Sequence, residues 1–207
     1  VETLVHGELE IAGRLVDASN ATLQCEAVLD GFSVTCVYKP QRGERPLWDF
    51  PSGTLGVREV AAYEVSSQLG WGVIPTTVWR EAGPYGPGMC QAWIDVEDDQ
   101  APVIVAGRSE IPPAWHVVAE GDGYGGEPVV LAHEDSEALM KMTVLDTLLN
   151  NADRKGGHVL RAADGRVYGI DHGLTFHEES KLRTVLWGWA GKAIPDSLGE
   201  QIGRAHV

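Results

Sequence analysis

In the first forty residues, apolar and polar side chains alternate in three short runs, 9–15, 21–29 and 33–38. Asp17-Ala18-Ser19-Asn20 and Asp30-Gly31 separate them. Period-two alternation bounded by turn formers predicts an antiparallel meander of strands. Strand side chains alternate between faces, so Val34, Cys36 and Tyr38 share one side of the third strand, and Thr35, Val37 and Lys39 the other. Lys39 therefore closes an apolar face, and Pro40 follows at once. A loop rich in Gly, Pro and Arg leads to a helix predicted over 57–69, closed by Gly70 with Pro75 beyond. Two further strands, 73–79 and 89–94, flank the turn-rich segment 82–88. The first half thus reads as a five-stranded antiparallel sheet plus one helix.

Asp95, Glu97, Asp98 and Asp99 surround Val96, and this shift in composition marks a boundary between residues 1–95 and 96–207. Beyond it, short apolar runs at 115–119 and 128–132 enclose Gly121-Asp122-Gly123-Tyr124-Gly125-Gly126. That string fits the dinucleotide pattern G-x-G-x-x-G, but the strand-like Pro128-Val129-Val130 follows instead of a helix, so it reads as a turn. Ala138, Met142, Leu145 and Leu149 recur at helical spacing, with Glu134, Asp135 and Glu137 at the amino end, and predict a helix over 136–150. A polar loop runs from Asn150 to His158. Asp164-Gly165 then signals a hairpin between 158–161 and 166–170. Leu186-Trp187-Gly188-Trp189 and 198–202 read as short helices, with the tryptophans in core or interface. The pattern predicts an α+β protein whose second half is mostly helical.

Composition narrows the function classes. The chain has 207 residues, a hydrophobic fraction of 43% and 7 tryptophans, which suit a packed core and exclude a disordered chain. Its formal net charge of -14, with no basic run, excludes nucleic acid as an expected partner. No apolar stretch is long enough to span a membrane, and no basic-then-apolar leader opens the sequence, so a cytoplasmic location is expected. Cys25, Cys36 and Cys90 are odd in number and sit in strand-like runs, which predicts buried reduced thiols. No G-x-x-x-x-G-K-S/T loop, C-x-x-C pair or H-E-x-x-H helix is present.

The chemistry-bearing residues cluster late in the chain. Asp153 precedes His158 by five positions, and Asp171 follows a predicted strand with Gly173 two places on. Phosphoryl transfer needs a residue to orient the attacking group, ligands for a divalent cation, and a lysine on the phosphates with something to hold it. In order, Val37-Tyr38-Lys39-Pro40, Arg58-Glu59-Val60-Ala61-Ala62-Tyr63, Leu69-Gly70, Val73-Ile74-Pro75-Thr76, Asn151-Ala152-Asp153-Arg154 and Ile170-Asp171-His172-Gly173 resemble the phosphatidylinositol 3- and 4-kinase-related family. The spacing is most similar to its type II 4-kinase branch and to a bacterial group within it, and the resemblance covers roughly residues 13–173.

That resemblance implies a protein-kinase-like two-lobed fold, with a β-rich N-lobe and a mostly helical C-lobe. It implies ATP and Mg²⁺ or Mn²⁺ as cofactors and a hydroxyl-bearing acceptor, whether lipid, protein or small molecule. Lys39 would contact the phosphates, and Glu59 would pair with it. Asp153 would be the catalytic aspartate, and His158 and Asp171 the metal ligands. Ser19 and Asn20 would lie over the phosphates, and Gln91, Ala92, Trp93 and Ile94 would run into the adenine-binding hinge. The turn 17–22 lacks glycine, and His158 stands where the family usually has Asn; imidazole favours softer ions such as Mn²⁺ over Mg²⁺. The same fold also accommodates AMP transfer, or a nucleotide-binding scaffold without turnover. From the residues alone, Glu64 rivals Glu59 as the partner of Lys39. His172 reads as a structural histidine, and Asn150, Asn151 and Arg154 as residues that shape the helix end and loop.

Overall fold

The computed structural model describes residues 1–15, 20–96 and 100–204. A five-residue helix α1 (Glu2–His6) precedes strands β1 (Glu8–Arg14), β2 (Leu23–Leu29) and β3 (Phe32–Pro40), helix α2 (Leu55–Gln68), and strands β4 (Thr77–Arg80) and β5 (Gly88–Ala92). The strands form one antiparallel sheet in the order β1-β2-β3-β5-β4. The five strands and one principal helix expected from the alternation are therefore present, with α1 in addition.

The two faces of this sheet have different coverings. Cys25, Ala27, Cys36, Tyr38, Val78 and Cys90 pack with Leu4 of α1 on one face. Arg80 holds α1 there by donating from Nη1 to Leu4 O and from Nη2 to Gly7 O, both at 2.6 Å, and a cation suits the unpaired carbonyls of a helix end. The three cysteines are free and buried, as their place in strands predicted. On the other face, α2 approaches so closely that a Cβ at Gly56 would stand 3.2 Å from Trp79 and 3.3 Å from Met89. Thr54 gives α2 no side-chain cap. Instead, the Glu44 carboxylate accepts from Leu55 N (3.1 Å) and Gly56 N (2.9 Å), tying the loop after β3 to the helix start.

The second half departs from expectation. Strands β6 (Val103–Ala106), β7 (Trp115–Asp122) and β8 (Pro128–Glu134) form a three-stranded antiparallel sheet, and β9 (Val159–Arg161) with β10 (Val167–Gly169) form a hairpin. Among the described residues its α-helices are α3 (Glu137–Leu148) and α4 (Asp196–Arg204), beside two single 3₁₀ turns, so the mostly helical second half is corrected to a β-rich one. Val103-Ile104-Val105-Ala106 is too short and uniformly apolar to show a period, and it pairs with β8 because β-branched side chains suit a pleated surface. The glycine string is indeed a turn: Gly123 N donates to Glu127 O at 2.8 Å, and Gly126 takes φ +79. Residues 187–192 are turns rather than a helix.

Residues 97–99, in the acidic boundary segment, lie outside the described residues. The cores do not respect that boundary. Ala62, Leu69, Trp71, Val73 and Ile74 share one cluster with Leu139, Met142, Leu145, Leu149, Val167, Leu186 and Leu198.

His133 on β8 offers a readable pH response. It is fully buried, accepts at Nε2 from Gly188 N (3.0 Å), and its Nδ1 lies 2.8 Å from Glu134 O, so the neutral ring satisfies both contacts. His116 and Trp189 pack against it, and Asp135 stands 3.5 Å from His116. Burial lowers its pKa, and nearby Asp135 and Glu134 only partly oppose this. An unfolded histidine titrates near about 6.5, so this contribution to stability is intact above that value and is lost as pH falls toward the lower folded pKa. The urea midpoint should fall as pH drops below about 6.5, and His133→Gln, which keeps a non-titrating acceptor, should show a shallower fall. An equal slope in both proteins would refute the assignment.

Candidate active site

Three distant segments meet at one ammonium. Lys39 lies second from the end of β3, opposite Met89, on the face that α2 covers. Glu59 lies early in α2, and the Glu44 cap sets that helix start beside the same strand. Lys39 Nζ donates to Glu59 Oε1 at 2.7 Å and to Asp171 Oδ1 at 3.0 Å. Between Glu59 and Glu64, the structure thus selects Glu59, which is 97% buried where Glu64 is exposed. Asp171 Oδ2 is in turn 3.4 Å from His158 Nε2. Lys39, Glu59, Asp171 and His158 form one connected cluster.

Its electrostatics follow from burial and pairing. Burial works to lower the Lys39 pKa, but the Glu59 and Asp171 charges outweigh it and hold the ammonium charged. Burial raises the Glu59 pKa against the pull of Lys39. Asp171 is held down at about 2, because Lys39 and then His158 outweigh its burial. Burial keeps His158 neutral to lower pH than an ordinary histidine, against the opposing charge of Asp171. The cluster is a cation between two carboxylates, and Asp171 remains accessible over 43% of its side chain.

At the end of the hairpin the left-handed backbone falls on Asp171 itself, at φ +59, and not on Gly173 two places on. Aspartate tolerates that region better than most residues, whereas a bulky or β-branched residue there would be strained. A Cβ at Gly173 would meet Leu55 in ordinary contact.

A second, fully buried network holds the loop between α3 and β9. Asn150 closes α3 at φ +52, and its side chain bonds to backbone groups of His177, Glu179 and Lys181. Asn151 donates from Nδ2 to Asp146 Oδ1 at 2.8 Å, and its Oδ1 accepts from Asp153 N at 3.0 Å, which sets the Asp153 backbone. Arg154 donates from Nε to Asp146 Oδ2 and from Nη2 to Asp146 Oδ1, both at 2.9 Å. It also donates to Ile170 O (2.9 Å) and lies 2.6 Å from His172 Nε2. Arg154 thus couples the Asp153 loop to the carbonyl before Asp171 and to the imidazole after it. His172, fully buried, is structural as expected. Sequence reasoning missed Asp146. Its signal was an acidic residue beside Leu145 and one helical turn from Met142 and Leu149, on the apolar face of α3.

Among the described residues the other candidates make no hydrogen bond or ion pair with the cluster, although the Asp153 charge acts on His158. Asp153 pairs with Lys155 at 2.8 Å and is mostly shielded from solvent. Ser19 lies outside the described residues. Asn20 Oδ1 accepts from Arg45 N at 2.8 Å, so its side chain fixes a loop. Gln91 is buried and donates to Thr77 Oγ1 at 2.7 Å, which commits that side chain to the sheet. The Ala92 and Trp93 N–H groups donate to Thr76 O and Thr35 O. Among the described residues the Ile94 backbone N–H enters no hydrogen bond within the protein. Among the described residues no three His, Cys, Asp or Glu side chains are gathered to hold a metal alone. A divalent cation held by one or two side chains plus phosphates needs no such group; the Asp171 carboxylate fits that mode for Mg²⁺ or Mn²⁺, and the His158 imidazole fits it for Mn²⁺ alone.

Comparison with known proteins adds one relative. The chain is 52% identical over 204 residues to the protein named Rv2133c of Mycobacterium tuberculosis (strain ATCC 25618 / H37Rv), a match covering 94% of this chain and 73% of that protein. It belongs to the same family as that protein. No family model matches the chain.

The Asp146–Arg154 pair makes a stability prediction. Removing one partner of a buried pair strands the other charge and costs about 3–5 kcal/mol. Asp146→Ala should lower the urea midpoint accordingly, and Asp146→Leu/Arg154→Met should recover part of the loss. A midpoint unchanged in Asp146→Ala would show that the pair does not organise the loop.

Proposed function

We propose that this member of the Rv2133c family is an ATP-dependent phosphotransferase related to the phosphatidylinositol 3- and 4-kinases, with residues 1–95 and 96–207 as the two lobes of a kinase-like fold. The observation that carries this reading is the ammonium of Lys39, bonded at 2.7 Å to Glu59 on the helix and at 3.0 Å to Asp171 after the hairpin. A strand lysine paired with a helix glutamate and set beside a metal-binding aspartate is the minimal arrangement that phosphoryl transfer requires. The resemblance in ordered motifs, stated from sequence, supports the same reading.

Each group has a distinct task. Lys39, kept charged by its two carboxylates, binds phosphate oxygens by charge-assisted hydrogen bonds. Glu59, buried, fixes the direction of that ammonium. Asp171 and His158 would hold Mg²⁺ or Mn²⁺, which neutralises charge on the phosphates when bound. Asp153, on the loop anchored by Asn151 and Arg154, orients the acceptor hydroxyl and takes its proton. The acceptor oxygen forms a bond to the γ-phosphorus, the bond from that phosphorus to the β-bridging oxygen breaks, and ADP leaves with the electron pair. The acceptor is a hydroxyl of a lipid, protein or small molecule. A cytoplasmic setting accords with the three reduced thiols, and no described helix is long and apolar enough to cross a membrane.

A nucleotide-binding scaffold without turnover is the second reading, favoured by the glycine-free turn at 17–22. ADP release from ATP, measured with Mg²⁺ and with Mn²⁺, separates the two. Turnover should fall by about 10²–10⁴-fold in Asp153→Ala, and by at least as much in Lys39→Met and Asp171→Ala. Turnover indistinguishable from wild type in all three would remove the catalytic claim. Thermal stabilisation by ATP without ADP release would favour the scaffold. An added mass of AMP on the acceptor would mark nucleotidyl transfer instead.

A further inference from the structure

The turn that follows Asp171 is constrained at both ends. Phe176, five residues on, also takes the left-handed region at φ +57, where an aromatic residue is strained. Its side chain is exposed, which leaves backbone contacts to hold that torsion. Between the two left-handed residues, Thr175 is fully buried and its Oγ1 donates to His172 O at 2.8 Å. His172 adjoins Asp171, so whatever fixes Thr175 bears on the carboxylate beside Lys39.

The peptide between Thr175 and Phe176 is bonded on both sides. Arg58 Nη1 donates to Thr175 O at 2.5 Å, and Phe176 N donates to Leu149 O, at the end of α3, at 2.6 Å. A peptide unit is planar, so fixing its carbonyl and its N–H together fixes its rotation, and with it the φ of Phe176. Arg58 is itself held for this contact: Nε donates to Thr54 Oγ1 at 3.2 Å, and the guanidinium lies 5.1 Å from the Phe50 ring centroid. Among the described residues it enters no ion pair with a carboxylate, although the chain has 30 acidic residues to 16 lysines and arginines. Its charge is directed at a backbone carbonyl instead, in a bond about twice as strong as a neutral one.

Arg58 also stands next to Glu59 on α2, so the helix that fixes Lys39 through one residue fixes the Asp171 turn through its neighbour. We propose that Arg58 is a positioning residue for the site: by holding the 175–176 peptide against the strain at Phe176, it sets Asp171 for its divalent cation. The assignment rests on the phosphotransferase reading, in which Asp171 is a metal ligand. Arg58 acts through the turn and touches neither nucleotide nor metal.

Two measurements on the full chain test this: water-proton relaxation with Mn²⁺ and the non-hydrolysable analogue AMP-PNP, which reads metal binding without turnover, and ADP release from ATP. Arg58→Met should weaken Mn²⁺ binding and lower kcat by about 10–100-fold each, the usual cost of losing a group that stands behind a metal ligand. Phe176→Gly should bind as wild type does, because glycine takes φ +57 without strain. The double variant Arg58→Met/Phe176→Gly should recover most of the Mn²⁺ affinity, since its torsion no longer needs holding, and it carries the test should the single arginine variant fold poorly. Neither relaxation enhancement nor ADP release in wild type would sink the phosphotransferase reading, and this assignment with it. Wild-type binding and turnover left unchanged in Arg58→Met would overturn the assignment alone, as would a loss that Phe176→Gly does not recover.

Discussion

One ammonium joins what the chain order keeps apart. Lys39, Glu59 and Asp171 are 20 and 132 residues from one another along the sequence, counted from the lysine, yet they share two hydrogen bonds. A buried Glu59 carboxylate would not be tolerated singly in so enclosed a place. The lysine keeps Glu59 buried at 3% exposure, and Glu59 and Asp171 keep the lysine protonated. The positions of β3 and α2 are therefore mutually determined, and the end of the β9–β10 hairpin is tied to both through Lys39. Displacing the lysine leaves two carboxylates side by side without their cation.

Around that point the protein invests in immobile backbone. Glu44 caps α2 from outside, and Arg154 reaches carbonyl oxygens before Asp171 while touching His172 after it. Asn151 bonds both Asp146 and the backbone of Asp153. A residue in the left-handed region persists only where its surroundings over-determine it, and Asp171 meets that condition through these contacts. Under the proposed phosphotransfer, the groups that touch phosphate or metal are held from behind by groups that touch neither.

Much of this was legible in the sequence, and unevenly so. The five strands and α2 followed from period-two alternation and from Gly70, since local chemistry decides such elements. Lys39, Glu59, His158 and Asp171 were named from ordered motifs, and they converge. The second half was misjudged because β6 offers four apolar residues without a period, and because tryptophan-rich turns at 187–189 mimic a helical stripe. Asp146 was missed for a different reason: a carboxylate on an apolar helix face signals a buried pair, but its guanidinium partner, eight residues on in a loop, is identified only in space. Gln91 shows a similar limit, since nothing local tells that its amide turns toward Thr77.

The apolar cluster that runs from Leu69, Trp71 and Val73 to Leu139, Met142 and Leu186 sets how the molecule can deform. A cleft between two independently folded bodies can gape by swinging about a loose tether. Here close-packed side chains weld the end of α2 and the loop after it to α3, and their interdigitation resists sliding. Strands β1 and β2 contribute nothing to this seam and pack into a separate cluster, so the sheet has a glued spine on one side and free page edges on the other.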